Sequence, residues 1–182
     1  MRTDLKFTYR EYRALPETGP RYQLVEGELL LSPSPNFRHQ RLVAKVFNAL
    51  FNHVEHQKLG HVLSGPIDVI LNDENVFVPD IVFVSNARMK IEVEEGLRGA
   101  PDLCVEVLSP SNKALDRETK RVQYARAGVL EYWIIEPSAK TVEVFRLQEN
   151  PGAPVRTLQS NERLTTPLLA DFTLDLETIF AT

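Results

Sequence analysis

Glu106 stands inside Leu103-Cys104-Val105-Glu106-Val107-Leu108, an otherwise apolar run of the kind that becomes a strand buried on both faces. An ionised carboxylate there is costly to desolvate unless a cation or a dense set of donors meets it, and such carboxylates cluster at functional sites. Asp80 follows Pro79 at the opening of an earlier apolar run, and a helix-like segment carrying Lys120 comes after the Glu106 run. Two carboxylates on neighbouring strand ends with a lysine nearby can hold a divalent cation and activate water, the layout of a metal-dependent nuclease.

The elements that must position these groups are legible in part. Residues 8–14 read as a short helix with a Thr8/Glu11 capping box. Residues 22–31 read as a hairpin turning at Glu26-Gly27. In residues 39–57, Leu42, Val43, Val46, Phe47, Leu50, Phe51 and Val54 form one apolar helical stripe, with Gly60 as its stop. Strands are expected at 66–71, 78–84, 101–108, 131–136 and 141–147, with a turn at 72–75 and a polar connection at 85–99. A second helix spans 113–127, stopped by Gly128, and the last thirty residues read as a hairpin remnant and a covering segment ending in Phe180. This order predicts an α/β fold, a central mixed sheet flanked by helices with an N-terminal hairpin extension, in a single domain over 1–182.

Spacing restricts the site. Asp102 and Glu106 point to the same face but lie roughly 13 Å apart along a strand, too far to share one ion. Glu106 therefore needs a partner from another strand, and Asp80 is that partner. The position two residues after Glu106, where the simplest nuclease motif has lysine, is Leu108. A lysine has to arrive from the following helix, as Lys113 or Lys120. Asp116, Lys120 and Tyr124 fall at i, i+4 and i+8, on one helix face, a pattern that an ordinary surface ion pair would also explain.

Glu26 is placed as a further catalytic carboxylate, reaching the site from the hairpin, although a turn residue before Gly27 has a plain structural role too. His39 at the helix start is placed as a substrate or phosphate contact, with a simple helix-start residue as the alternative. Tyr124 is placed with it as a substrate contact. Ser109 and Ser111 read as capping groups, and Tyr132 and Trp133 as core or subunit-contact residues. One cysteine argues against zinc, and neither a phosphate-binding glycine loop nor a nucleophilic-serine elbow occurs.

The 182 residues carry 43% hydrophobic and 25% charged side chains, ordinary for a globular chain. No apolar stretch approaches membrane-spanning length, and Met1 to Lys6 lacks the apolar core of a signal peptide, so a cytoplasmic location without membrane contact is expected. The net charge of -4 argues against a general nucleic-acid coat protein but not against a nuclease. Arg117, Lys120, Arg121 and Arg126 are the best basic cluster, and a solvated helix face is its plainer explanation.

At these residues the chain resembles the PD-(D/E)xK restriction-endonuclease-like superfamily and, more narrowly, its Uma-two family. The matching pieces are Val78-Pro79-Asp80-Ile81, the block from Pro101 to Ser111, Asp116 with Lys120 and Tyr124, and Gly128 to Pro137. Residues 22–29 and His39 fit as well. The resemblance implies a metal-dependent endonuclease acting on nucleic acid, with DNA as the expected form. Asp80, Glu106 and the Val107 carbonyl would hold Mg2+ or Mn2+, with Lys120, displaced from the strand onto the helix, orienting the attacking water. It also implies a homodimer or higher homo-oligomer.

Overall fold

Two mixed sheets share most of the strands in the computed structural model, which describes residues 6–16, 18–32, 34–109 and 113–181. In chain order the elements are α1 (Tyr9–Arg13), β1 (Arg21–Val25), β2 (Glu28–Ser32), α2 (Phe37–Gln57), β3 (Gly60–Ser64), β4 (Val69–Asn72), β5 (Asn75–Phe77) and β6 (Ile81–Ser85). A 3-10 turn (Asn86–Ile91) leads to β7 (Glu92–Val93), β8 (Gly96–Arg98) and β9 (Leu103–Val107). A π-helical stretch (Leu115–Lys120) runs into α3 (Arg121–Ala127), followed by β10 (Glu131–Glu136), β11 (Thr141–Arg146), β12 (Arg156–Gln159), β13 (Arg163–Thr166), β14 (Leu169–Asp175) and α4 (Leu176–Phe180).

The central sheet has the order β12-β11-β10-β9-β6-β3, with β9 and β10 parallel and the other pairs antiparallel. The parallel pair requires a crossover, and α3 with its π-helical lead-in supplies it. Side chains alternate across the sheet. Val105, Val107, Trp133 and Ile135 pack toward α2 and the β13–β14 hairpin. Cys104, Tyr132 and Ile134 pack on the other face, with Tyr124 of α3 and with Val25, Phe77 and Leu97 of the second sheet. Glu106 shares the parity of Cys104, so the strand directs it toward the helical crossover.

The second sheet, β2-β1-β5-β4-β8-β7, departs from expectation. The N-terminal hairpin is not an appendage: Leu24 of β1 pairs with Val76 of β5, making the hairpin one end of a six-stranded sheet. The strand expected at 78–84 begins only at Ile81. Asn75–Phe77 belongs to the second sheet and Ile81–Ser85 to the central one, with Val78-Pro79-Asp80 crossing between them. Pro79 has no N–H to donate to a ladder, so the break falls where ladder pairing would fail. The strand expected at 66–71 begins only at Val69, and the connection expected at 85–99 contains the 3-10 turn, β7 and β8.

The long helix starts at Phe37, two residues earlier than its apolar stripe suggested, because Asn36 caps it: Asn36 Oδ1 accepts from His39 N at 2.9 Å. It ends at Gln57, where Lys58 adopts the left-handed conformation, φ 55°. Gly60 is therefore not its stop. It opens β3 at φ 148°, where an added Cβ would lie 2.1 Å from the Val84 carbonyl oxygen. Tyr132 and Trp133 are wholly buried within the chain, so the aromatic strand offers no surface to a second subunit. No helix among the described residues is long and apolar enough to cross a membrane. The capping role given to Ser111 lies outside the described residues.

Candidate active site

Antiparallel register brings the two key carboxylates together. Ile81 pairs with Val105, Val82 with Cys104 and Phe83 with Leu103, so the next step of the same register sets Asp80 opposite Glu106. Side chains directly opposed in such a pair share a face and sit close. Asp80 bends onto the partner strand, where its Oδ2 accepts the Val107 N–H at 2.7 Å. Both carboxylates line a cleft of about 730 Å3, together with Gln23, His39, Val107, Ser109, Asp116 and Lys120.

Lys120 comes from the helix. Its Nζ donates to Glu106 Oε1 at 2.8 Å and lies 2.9 Å from Asp116 Oδ1, and all three residues are buried. The π-helical stretch aims Asp116 and Lys120 inward together. A π turn widens the ladder and loosens its carbonyls. Here the Tyr132 hydroxyl donates to the Asp116 carbonyl at 3.0 Å, and Arg121 Nε donates to the Arg117 carbonyl at 2.8 Å. Lys113, the other lysine considered, instead pairs with Glu136 at 2.8 Å.

The electrostatics follow from burial and an excess of carboxylates. Burial alone would lower the proton affinity of Lys120, but Glu106 and Asp116 hold its ammonium well above the ordinary lysine range. Burial pushes the Glu106 carboxyl up, Lys120 pulls it down, and the charges of Asp116 and Asp80 push it up again, leaving it well above the usual carboxylate range. His39 Nε2 lies 3.2 Å from Asp80 Oδ2. Burial would lower its proton affinity, yet the Asp80 hydrogen bond, the Asp80 charge and the Val107 carbonyl outweigh that and raise it.

The donor set suits a hard divalent cation. Asp80, Glu106 and the Val107 carbonyl offer oxygen only, the preference of Mg2+ and Mn2+. Lys120 and Tyr124 both engage Glu106 Oε1. Against this, no group of three or more His, Cys, Asp or Glu side chains among the described residues is gathered ready to hold a metal. The third oxygen of the set is a backbone carbonyl.

The structure does not bring Glu26 to this cleft. Exposed at φ 52° in the hairpin turn, it accepts from Gln123 Nε2 at 2.8 Å and lines a separate hollow of about 940 Å3 with Gln123 and Arg126. Tyr124 does not line the cleft either: it is fully buried, with its hydroxyl 3.4 Å from Glu106 Oε1, a contact to a carboxylate rather than to anything entering from solvent. Asp102 accepts from Ser85 N at 2.7 Å and lies 3.4 Å from Arg88 Nε, a structural anchor away from Glu106. The basic cluster is dispersed: Arg117 bonds Glu143, Arg121 lies over the Phe145 ring and Arg126 faces the other hollow. Gln23 was not anticipated. It is buried, lines the cleft, and accepts from Val78 N at 3.0 Å, fixing the segment that carries Asp80. A glutamine between apolar Tyr22 and Leu24 in a strand was the available signal.

Residues 9–177 match the Uma2 family, described as "Putative restriction endonuclease". Among solved structures, a chain from Anabaena variabilis ATCC 29413, described as a putative nuclease belonging to DUF820, is similar in fold. The TM-score is 0.79 at 22% sequence identity, over 96% of this chain and 98% of that one. No curated protein matches the chain.

Proposed function

The chain belongs to the Uma2 family, and from that premise we propose that it is a metal-dependent endonuclease hydrolysing nucleic-acid phosphodiesters, with DNA as the expected substrate. The observation that carries this reading is the convergence of Asp80, Glu106 and Lys120 on one cleft, from the crossing segment before β6, from β9 and from the helical crossover.

Asp80 and Glu106, with the Val107 carbonyl, would hold Mg2+ or Mn2+. When bound, the ion supplies Lewis acidity to the scissile phosphate and acidifies water. The chain's own groups do the rest. The Val107 N–H and His39 fix Asp80 Oδ2, and Asp80 lines the cleft. Asp116 shares the Lys120 ammonium and keeps it charged at the inner end of the cleft. There Lys120 orients the attacking water and offsets the negative charge that grows on the phosphate.

A second reading is a nuclease-fold module that binds nucleic acid without cutting. One observation favours it: the Lys120 ammonium is already shared between two buried carboxylates. The test is cleavage of supercoiled plasmid, linear duplex and single-stranded DNA with Mg2+ or Mn2+, beside Glu106→Ala and Lys120→Ala. Metal-dependent cleavage lost in both variants supports the nuclease; DNA binding without cleavage supports the silent module. Cutting both strands of a duplex calls for two sites, so a homodimer is part of the proposal, and a monomeric mass by light scattering removes it.

A further inference from the structure

Phe37 is 78% exposed and Leu31 58% exposed, the two most exposed large apolar side chains among the described residues. Single exposed apolar residues are common and need no explanation. These two are neighbours of the same cleft. Leu31 lines it, and Phe37 follows Asn36, which lines it too. Two arginines stand beside them. Arg41 holds its guanidinium 5.9 Å from the centre of the Phe37 ring, and Arg21 lines the cleft; Arg38, next to Phe37 in sequence, instead donates to the Pro137 carbonyl. Between them the wall carries Gln23, Ser32, Ser34, Asn36 and Gln40, uncharged donors and acceptors.

A chain of net charge -4 that sets one arginine over an exposed ring and another in the adjoining cleft offers three kinds of contact in one neighbourhood. The ring takes a flat apolar face, the arginines take phosphate, and the amides and hydroxyls take the edges of a base. Paired bases inside a duplex cannot present a face to a side chain; an unpaired base can. Resting on the nuclease reading for the cut itself, we propose that Leu31 and Phe37 form a stacking lip for an unpaired nucleotide beside the scissile phosphate. The preferred substrate is then single-stranded or locally unpaired nucleic acid, rather than uninterrupted duplex.

The test uses the full chain carrying Glu106→Gln, so that binding is read without cleavage. Its ligands are a single-stranded oligonucleotide containing 2-aminopurine and the same sequence fully paired. The expected result is quenched 2-aminopurine fluorescence on the single strand and binding about ten-fold weaker with Phe37→Ala. Phe37→Trp should keep the affinity, and duplex affinity should change by less than about two-fold, the ring making no contact there. Phe37 is exposed, so Phe37→Ala leaves the fold intact, which an unchanged Tm verifies. Equal single-strand affinity with and without the ring overturns the lip, as does failure of the single strand to bind. Light scattering showing that Phe37→Ala turns a dimer into a monomer also overturns it, because the ring then serves a second copy. Quenching by a protein that never cleaves with Mg2+ or Mn2+ supports the lip while removing the nuclease. Cleavage that depends on Glu106 but is indifferent to Phe37 removes the lip alone.

Discussion

The Lys120 ammonium lies 2.8 Å from Glu106 Oε1 although the two residues are held by different elements, a helix and a central strand. Asp116 completes the group at 2.9 Å, so one cation answers two buried carboxylates. Removing that cation leaves both without compensation. We predict that Lys120→Met destabilises the chain by about 3–5 kcal/mol in urea unfolding. Combining it with Glu106→Gln and Asp116→Asn should recover most of the loss. An isolated Lys120→Met without measurable destabilisation would falsify the triad.

Metal binding should depend on pH with a definite sign. The Glu106 carboxyl lies well above the usual carboxylate range because of burial and its acidic neighbours. Its neutral form favours the folded state, so this contribution is complete below the ordinary carboxylate pKa and is lost as pH rises through the raised value. A divalent cation reverses that loss and binds only the ionised group. The rise in Tm caused by Mn2+ should therefore grow with pH and vanish in Glu106→Gln. A shift that is flat across pH argues against Glu106 as a ligand.

His39 Nε2 lies 3.2 Å from Asp80 Oδ2, so its substitution should act through that carboxylate. Calorimetry on His39→Ala should find Mn2+ affinity reduced roughly ten- to hundred-fold, the usual effect of removing a residue that orients a ligand. His39→Gln, which keeps a donor, should lose less. Unchanged affinity in His39→Ala would return this residue to a role at the substrate.

Gly60 tests the fold independently of the site. With φ 148° and the Val84 carbonyl where a Cβ would go, Gly60→Ala should destabilise by more than about 1 kcal/mol. Chemical denaturation decides it, and a neutral result would mean that β3 meets β6 differently.

How much of this was legible in the sequence varies with the reach of the signal. The strand containing Glu106 was clear because apolar continuity is local, and the stripe from Leu42 to Val54 was clear for the same reason. The passage of the chain from one sheet to the other at Val78-Pro79-Asp80 was not, because the hydrophobic pattern continues through Pro79 and only pairing partners reveal the change. The reach of Lys120 into the core was ambiguous, since i, i+4 spacing fits a surface pair equally well; its depth shows only in its contact with Glu106 of the central sheet. Glu26 was misplaced because the hairpin was read as an appendage. Once β1 pairs with β5, its turn falls beside Asn75, whose Oδ1 accepts the Glu26 N–H at 3.0 Å.

The π-helical stretch has a consequence for length variation. Such a turn amounts to one residue more than a regular α-helix would hold over the same span. Deleting exposed Glu118 would let the ladder return to its ordinary form, while rotating Asp116 by about 100° relative to Lys120. The shortened helix would propagate with better backbone geometry and a misaligned ammonium. In this segment a single-residue deletion eases the backbone ladder while breaking the Asp116–Lys120 pair, so its cost falls on the buried charges rather than on the helix.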